Sequence, residues 1–544
     1  MKRINVFIRR QRIKKLENWA IIAIFAEIFL SVIFPQIAAA AVIVGIIAWF
    51  LRLQIDKKFK LRGLPFDLPV TIFVVMGTIS VFMSPARSFD LIYNYCGIMG
   101  VFVLTYLLVG QNIRTIEQIK SLMNAITAAA VIVVAVGYFQ YFFGVDISEM
   151  KITDLDTFGD MHTRIFSTLE NPNVLAGYLD VIICLALGML AKCGTRNQKI
   201  FLAAATVFLV FCLAMTYSRG ALLSIAIIFL IYGILYEWQI LILFATGAAI
   251  LFSQDSILFE RISSIFTAND AANNARIGIW VTTISMIADH PFIGIGWGAY
   301  QLTYPQYNYY LTETTQTIYH AHNLYLQTAA EVGIAGALAY FWYFFGTMFM
   351  ALAFNSNERY NQMKNAVGEI TKRATESKFK QKFDEEFVKT VAESKFLQSL
   401  AQIKSMFILR MAELTHQIFD KFSTPPKTKT KIKKKSEPEL VHHEEMKFDA
   451  NNKKPADNNS DDKNDDDDKF DAQKFAANVT MFESKKIQND KKFIEGVRLG
   501  IGLAFLSMAL NGMCDDLLFN IPSSILMWTL GALAASIEEL REKD

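Results

Sequence analysis

Two histidines, His320 and His322, stand just ahead of an apolar run in "YHAHNLYLQTAAEVGIAGALAYFWYFFG", residues 319–346. An imidazole titrates near neutral pH, so a histidine here can take a proton from an incoming hydroxyl. Asn323, Gln327 and Glu331 follow at helical spacing and make a polar stripe. Gly333 and Gly336 are small and predict close helix packing. His320 and His322 share a side only in an extended segment, and no third ligand is evident in the sequence. No metal and no cofactor is therefore assigned.

The cations that accompany them are arginines. Arg219 lies in "MTYSRGALLS", residues 215–224, where two apolar runs meet with no room for a real loop. Arg276 heads "ARIGIWVTTISMIADHPFIGIGWGAY" and shares a helical face with Trp280, Ile284 and Ile287, ahead of a stop at His290-Pro291. This reads as an interfacial helix. Arg164 opens "RIFSTLENPNVLAGYLD". Guanidinium forks bind phosphate bidentately and stay charged near hydrocarbon. The competing reading is an arginine that snorkels to the lipid–water boundary, and the scarcity of cations around Arg219 favours function there. Asp180 lies about two turns into an apolar run. A carboxylate in that position faces a wet cavity or is hydrogen-bonded between helices, and the sequence leaves both readings open. Gly294, Gly296 and Gly298 form a tight turn rather than a nucleotide cradle, because no strand precedes them.

Long helices must position these groups. The chain has 544 residues, 53% hydrophobic and only 19% charged, and a mean hydropathy of +0.29. Apolar runs long enough to cross a bilayer recur at about 18–35, 37–52, 67–84, 92–109, 119–143, 173–192, 199–217, 219–237, 239–253, 326–354, 497–513 and 521–538. The fold class is therefore an all-α polytopic membrane protein of about twelve transmembrane helices. The basic segments "MKRINVFIRRQRIKK", "RLQIDKKFKLRG" and "AKCGTRNQK" fall on one side if the spans alternate. The positive-inside rule makes that side, and both termini, cytoplasmic. Residues 254–325 then form a large external loop with amphipathic helices, and they contain no lysine.

Three regions follow. Residues 1–354 hold the first ten spans and the external loop. Residues 355–496 are a charged cytoplasmic insertion with a helical first part. Residues 423–485 within it are too polar to build a core and are expected to be disordered. Residues 497–544 hold the last two spans and a cytoplasmic C-terminus. The five cysteines are scattered without paired spacing and imply neither a disulfide framework nor a zinc site. A transporter is disfavoured, because inverted repeats are not visible and it gives no purpose to the long external loop.

"SRGALLS", "ARIGIWVTTISMIADHPFIGIGWGAY" and "HNLYLQTAAEVGIAG", in this order across an external loop, resemble the O-antigen ligase family of bacterial membrane proteins. "TRIFSTLENPNVLAGYL" resembles the family's segment ahead of the span, and the His322-Asn323 pair with Gly333 and Gly336 resembles its ligase motif. The charged insertion departs from the family's compact form. The resemblance implies a GT-C-like architecture and a glycosyltransferase on the periplasmic face of the cytoplasmic (inner) membrane. The donor it implies is a glycan on undecaprenyl diphosphate, with membrane lipid as surroundings and no nucleic acid. The acceptor it implies is a lipid A core or another cell-surface acceptor. His322 would be the general base. Arg219 and Arg276 would hold the departing diphosphate, with Arg164 as a further candidate, and His320, Asn323, Glu331 and Asp180 as further substrate-binding candidates. Direct displacement would be metal-independent and invert the anomeric centre. Polysaccharide polymerases and protein O-oligosaccharyltransferases share much of the pattern and remain alternatives.

Overall fold

A computed structural model of the chain describes residues 2–144, 164–254, 271–308, 318–352, 472–516 and 520–543. No strand occurs among the described residues. The helices are α1 (Lys2–Ser31), α2 (Pro35–Ile55), α3 (Asp67–Phe82), α4 (Phe89–Asn112), α5 (Ile116–Phe143), α6 (Pro172–Lys192), α7 (Arg196–Ala214), α8 (Arg219–Leu235), α9 (Gln239–Gln254), α10 (Ala271–Asp289), α11 (Leu324–Leu352), α12 (Ala472–Asn511) and α13 (Ile521–Lys543). Among the described residues, eight helices are long and apolar enough to cross a membrane, and α3, α8 and part of α9 are shorter apolar helices. Each expected apolar run overlaps one of these helices.

Local chemistry sets several boundaries. α5 starts with a reciprocal cap, Thr115 bonding the backbone of Gln118 while the Gln118 side chain returns the bond. α6 starts at Pro172, with Asn171 accepting from the Asn173 and Val174 N–H groups. α4 contains one π-helical turn, Tyr95–Met99. Two boundaries differ from the sequence expectation. The basic N-terminal segment forms the first turns of α1, ahead of the span expected from about residue 18, and its Arg, Lys and Gln residues favour helix. Residues 472–485, expected to be disordered, begin α12 and run unbroken into the last-but-one span.

The chain divides into two units, Met1–Phe354 with Ala476–Asp544, and Asn355–Phe475. The expected insertion lies outside the described residues up to residue 471, as do residues 255–270 and 309–317 of the expected external loop. In the first unit, ion pairs lace one end of the bundle: Arg62 to Glu539 at 2.5 Å, Lys120 to Asp490 at 2.5 Å, Lys192 to Glu495 at 3.1 Å and Lys199 to Glu237 at 2.6 Å. Arg9 joins this end by donating to Ile55 O at 2.5 Å. His320, His322, Arg219 and Arg276 all lie toward the other end.

α12 matters most for the site, since its C-terminus delivers residues 512–516. It meets α6 through glycine. Gly188 on α6 faces Gly496 and Gly500 on α12, and a Cβ on Gly188 would overlap the Gly500 backbone. Without hydrophobic driving force in lipid, such backbone-to-backbone contact is what holds helices together. Gly188→Leu is expected to cost at least about 3 kcal/mol, the upper end of overpacking penalties. Denaturant unfolding in detergent checks this, and an unchanged midpoint would deny the crossing its role.

Candidate active site

α11 carries the histidine motif, and its local structure explains the motif's glycines. Asn323 caps the helix: its Oδ1 accepts the Tyr325 and Leu326 N–H groups, each at 3.0 Å. The helix then breaks at Gly333, with φ 72° and ψ 172°. The close approach expected at Gly333 is made to the backbone at Phe292 and Ile293, and the helix break comes with it, which helical periodicity does not reveal. The break leaves two carbonyls for the segment that follows α10. Ile295 N–H donates to Ala330 O at 2.8 Å, Gly296 N–H to Glu331 O at 3.0 Å, and Ile334 N–H to Pro291 O at 2.8 Å. A side chain on Gly333 would fall on Phe292 O, so only glycine fits. Gly336 keeps the packing role, against Met76 of α3. Gly294, Gly296 and Gly298 all have positive φ and form the turn that runs alongside. Ser84 Oγ at the end of α3 fastens it by donating to Ile295 O at 2.5 Å.

The turn after α12 docks on the start of α11. Leu324 N–H donates to Gly512 O at 2.8 Å, and Asn323 Nδ2 to Met513 O at 3.0 Å. That places Asp515 Oδ1 3.2 Å from His322 Nδ1. His322 has φ 48°, a left-handed value rare for a residue with a Cβ. It tilts the ring against His320, with centroids 4.1 Å apart. Burial tends to raise the Asp515 carboxyl, but the hydrogen bond and charge of His322, then His320 and Arg276, outweigh it and hold it below the usual carboxylate range. Loss of water, then the neighbouring His322, pushes the His320 pKa down to about 4. Its ring is therefore neutral at neutral pH.

Arg276, on α10, acts electrostatically on His320, Asp515 and Cys514, and Arg219 at the head of α8 acts on Cys514. Gly220 brings the α8 turn against Asn511 and Cys514. The structure thus gathers Arg219, Arg276, His320, His322 and Asn323 around residues 511–515. The buried face of α10 is Ile279, Thr282, Thr283 and Met286, so Arg276, Trp280 and Ile287 lie at its margin. Ile277, Val281 and Ile284 form an exposed apolar face.

The other candidates are held by hydrogen bonds within the bundle. Arg164 is buried; its Nε donates to Thr216 O at 2.7 Å and its Nη2 to Asn173 Oδ1 at 2.6 Å. It braces the turn that ends in Ser218-Arg219. Asp180 is buried between three helices, accepting from Ser224 at 2.6 Å, Ser507 at 3.2 Å and Asn511 at 3.4 Å. This is the interhelical hydrogen-bond reading, and it ties α6, α8 and α12 together below the site. Glu331 is buried, receives a 2.9 Å bond from Gln327, and accepts from the Gly298 and Tyr300 backbone.

Glu331 also lines a cavity of about 370 Å³ beside the histidines, with Trp297, Tyr319, Gln327, Asp516 and Trp528 among its walls. That is the size and mixed chemistry of a small-molecule site. The sequence reading missed Asp515 and Asp516. The signal was present: "CDD" is an acidic pair in the short segment between the last two apolar runs. His320, His322 and Asp515 also place one potential metal-ligand atom each within 4.8 Å of one another, which supplies the third ligand that the sequence did not reveal.

No curated protein matches the chain. The family model of O-antigen ligase matches residues 204–341, a stretch that contains Arg219, Arg276, His320, His322 and Glu331 and stops short of Asp515. Residues 204–341 are therefore similar to the O-antigen ligase family.

Proposed function

We propose that the protein is a membrane glycosyltransferase that moves a glycan from undecaprenyl diphosphate to a cell-surface acceptor such as a lipid A core. The observation that carries this reading is the His322–Asp515 pair at 3.2 Å, with Arg276 close enough to act on Asp515. Asp515 holds the His322 ring by Nδ1, so Nε2 can take the acceptor's proton. The acceptor oxygen then attacks the anomeric carbon, and the glycosyl–phosphate bond breaks with inversion. Arg219 and Arg276 bind the diphosphate as it gains charge, work that needs no divalent metal. The cavity beside Glu331 and Trp297 holds sugar: aromatic faces and carboxylates suit a polyhydroxylated ring.

The reading includes a GT-C-like bundle of about twelve spans in the bacterial inner membrane. The end rich in Arg and Lys ion pairs faces the cytoplasm, with both termini. The site then opens at the periplasmic side, where the donor's headgroup waits. A polymerase differs only in taking a second lipid-linked glycan as acceptor, and a protein oligosaccharyltransferase only in taking a protein hydroxyl. Incubating the purified protein with undecaprenyl-diphosphate glycan and each acceptor class decides among them. No transfer to any acceptor would sink the proposal.

On this topology residues 355–496 lie across the membrane from the chemistry. Deleting residues 425–471, which stop short of α12, is expected to leave the transfer rate within about twofold of wild type. That segment is too polar to contribute a core. Loss of transfer with normal membrane insertion would show that the insertion regulates the enzyme or recruits a partner.

A further inference from the structure

The mechanism above gives His320 no step. His320, His322 and Asp515 nevertheless bring two imidazole nitrogens and one carboxylate oxygen within 4.8 Å of one another. We propose that these three side chains form a binding site for a divalent transition metal of the zinc class, and that the bound metal inhibits transfer by occupying His322. The inhibitory part rests on His322 being the base; the metal site does not.

The donor set decides the metal class. Two imidazoles and one carboxylate suit zinc and its neighbours, whereas calcium and magnesium prefer all-oxygen shells. Zinc bonds of about 2.0–2.1 Å put tetrahedral ligands roughly 3.3 Å apart. Closing the trio from 4.8 Å therefore takes shifts of about an ångström at side-chain ends. The bonds to be exchanged are long. His322 Nδ1 meets Asp515 at 3.2 Å, and the His322 backbone N–H meets His320 Nδ1 at 3.2 Å. Three protein ligands leave a fourth position for water. The left-handed His322 is what turns the two rings toward each other one residue apart. Arg276, which acts on both His320 and Asp515, opposes a dication and sets its affinity.

The test is zinc binding by equilibrium dialysis to the purified full-length chain in detergent. It is run in a His442→Gln, His443→Gln background so that this pair in the insertion does not contribute. One zinc per chain is expected, bound at least tenfold more weakly in His320→Gln and in Asp515→Asn, and more tightly in Arg276→Gln. Added zinc should lower transfer, and a chelator should restore it. Equal zinc affinity in the His320→Gln and Asp515→Asn variants overturns the site. Zinc that raises transfer overturns the inhibition. Zinc binding with these losses, in a protein that transfers no glycan at all, supports the site and counts against the proposed reaction instead.

Discussion

His322→Ala is expected to lower glycan transfer by about two to four orders of magnitude, the range a positioned general base contributes, while donor binding stays within a few-fold of wild type. On the proposed mechanism the donor is held by Arg219 and Arg276, which the substitution does not touch. The ring has one bond to Asp515 at 3.2 Å, and that carboxyl is kept ionised partly by His322 itself. Asp515→Asn should therefore lower kcat by a smaller factor with little change in KM, because Asp515 orients the base without touching substrate. Single-turnover transfer with labelled donor, alongside donor binding to the same preparations, separates the two. Near-normal turnover in His322→Ala with loss in His320→Ala would mean the wrong imidazole has been assigned.

Arg219→Lys and Arg276→Lys are each expected to weaken donor binding roughly ten- to a hundredfold, with a matching fall in transfer. Losing one charge-assisted bond of a bidentate pair costs about 1.5–3 kcal/mol, and lysine cannot supply the planar fork. A snorkelling role predicts the opposite, since either cation reaches the interface. The same assays include a chelator on wild type, which should not reduce its rate. Full activity in both lysine variants would remove the phosphate clamp. Inhibition of wild type by the chelator would make a metal part of the chemistry.

The helices were legible in the sequence because lipid demands long apolar runs, and each run of 15 or more residues could be read one by one. His322 and the arginines were legible for a related reason: charged and titratable groups are rare in such a chain, so their positions stand out. Asp515 was harder. It lies 193 residues from His322, beyond the long charged insertion, and only the docking of residues 512–516 on α11 brings it near. Asp180 was ambiguous because its partners Ser224, Ser507 and Asn511 come from two other helices. The break at Gly333 was not legible because helical spacing says which face a residue occupies but nothing of its φ.

The left-handed backbone has a consequence beyond ring placement. Among the described residues, four non-glycine positions carry positive φ: Ser167, Glu170, Tyr217 and His322. All belong to the turns at the histidine end, and such conformations cost of order 1–3 kcal/mol each. The opposite end, tied by ion pairs, has none among the described residues. Selection for durability alone would replace these four with glycine or asparagine, which adopt the same turn at less cost. On the proposed mechanism, keeping a histidine at 322 trades thermodynamic robustness for reactivity, and tolerance of further mutation is then smallest where the chemistry is done.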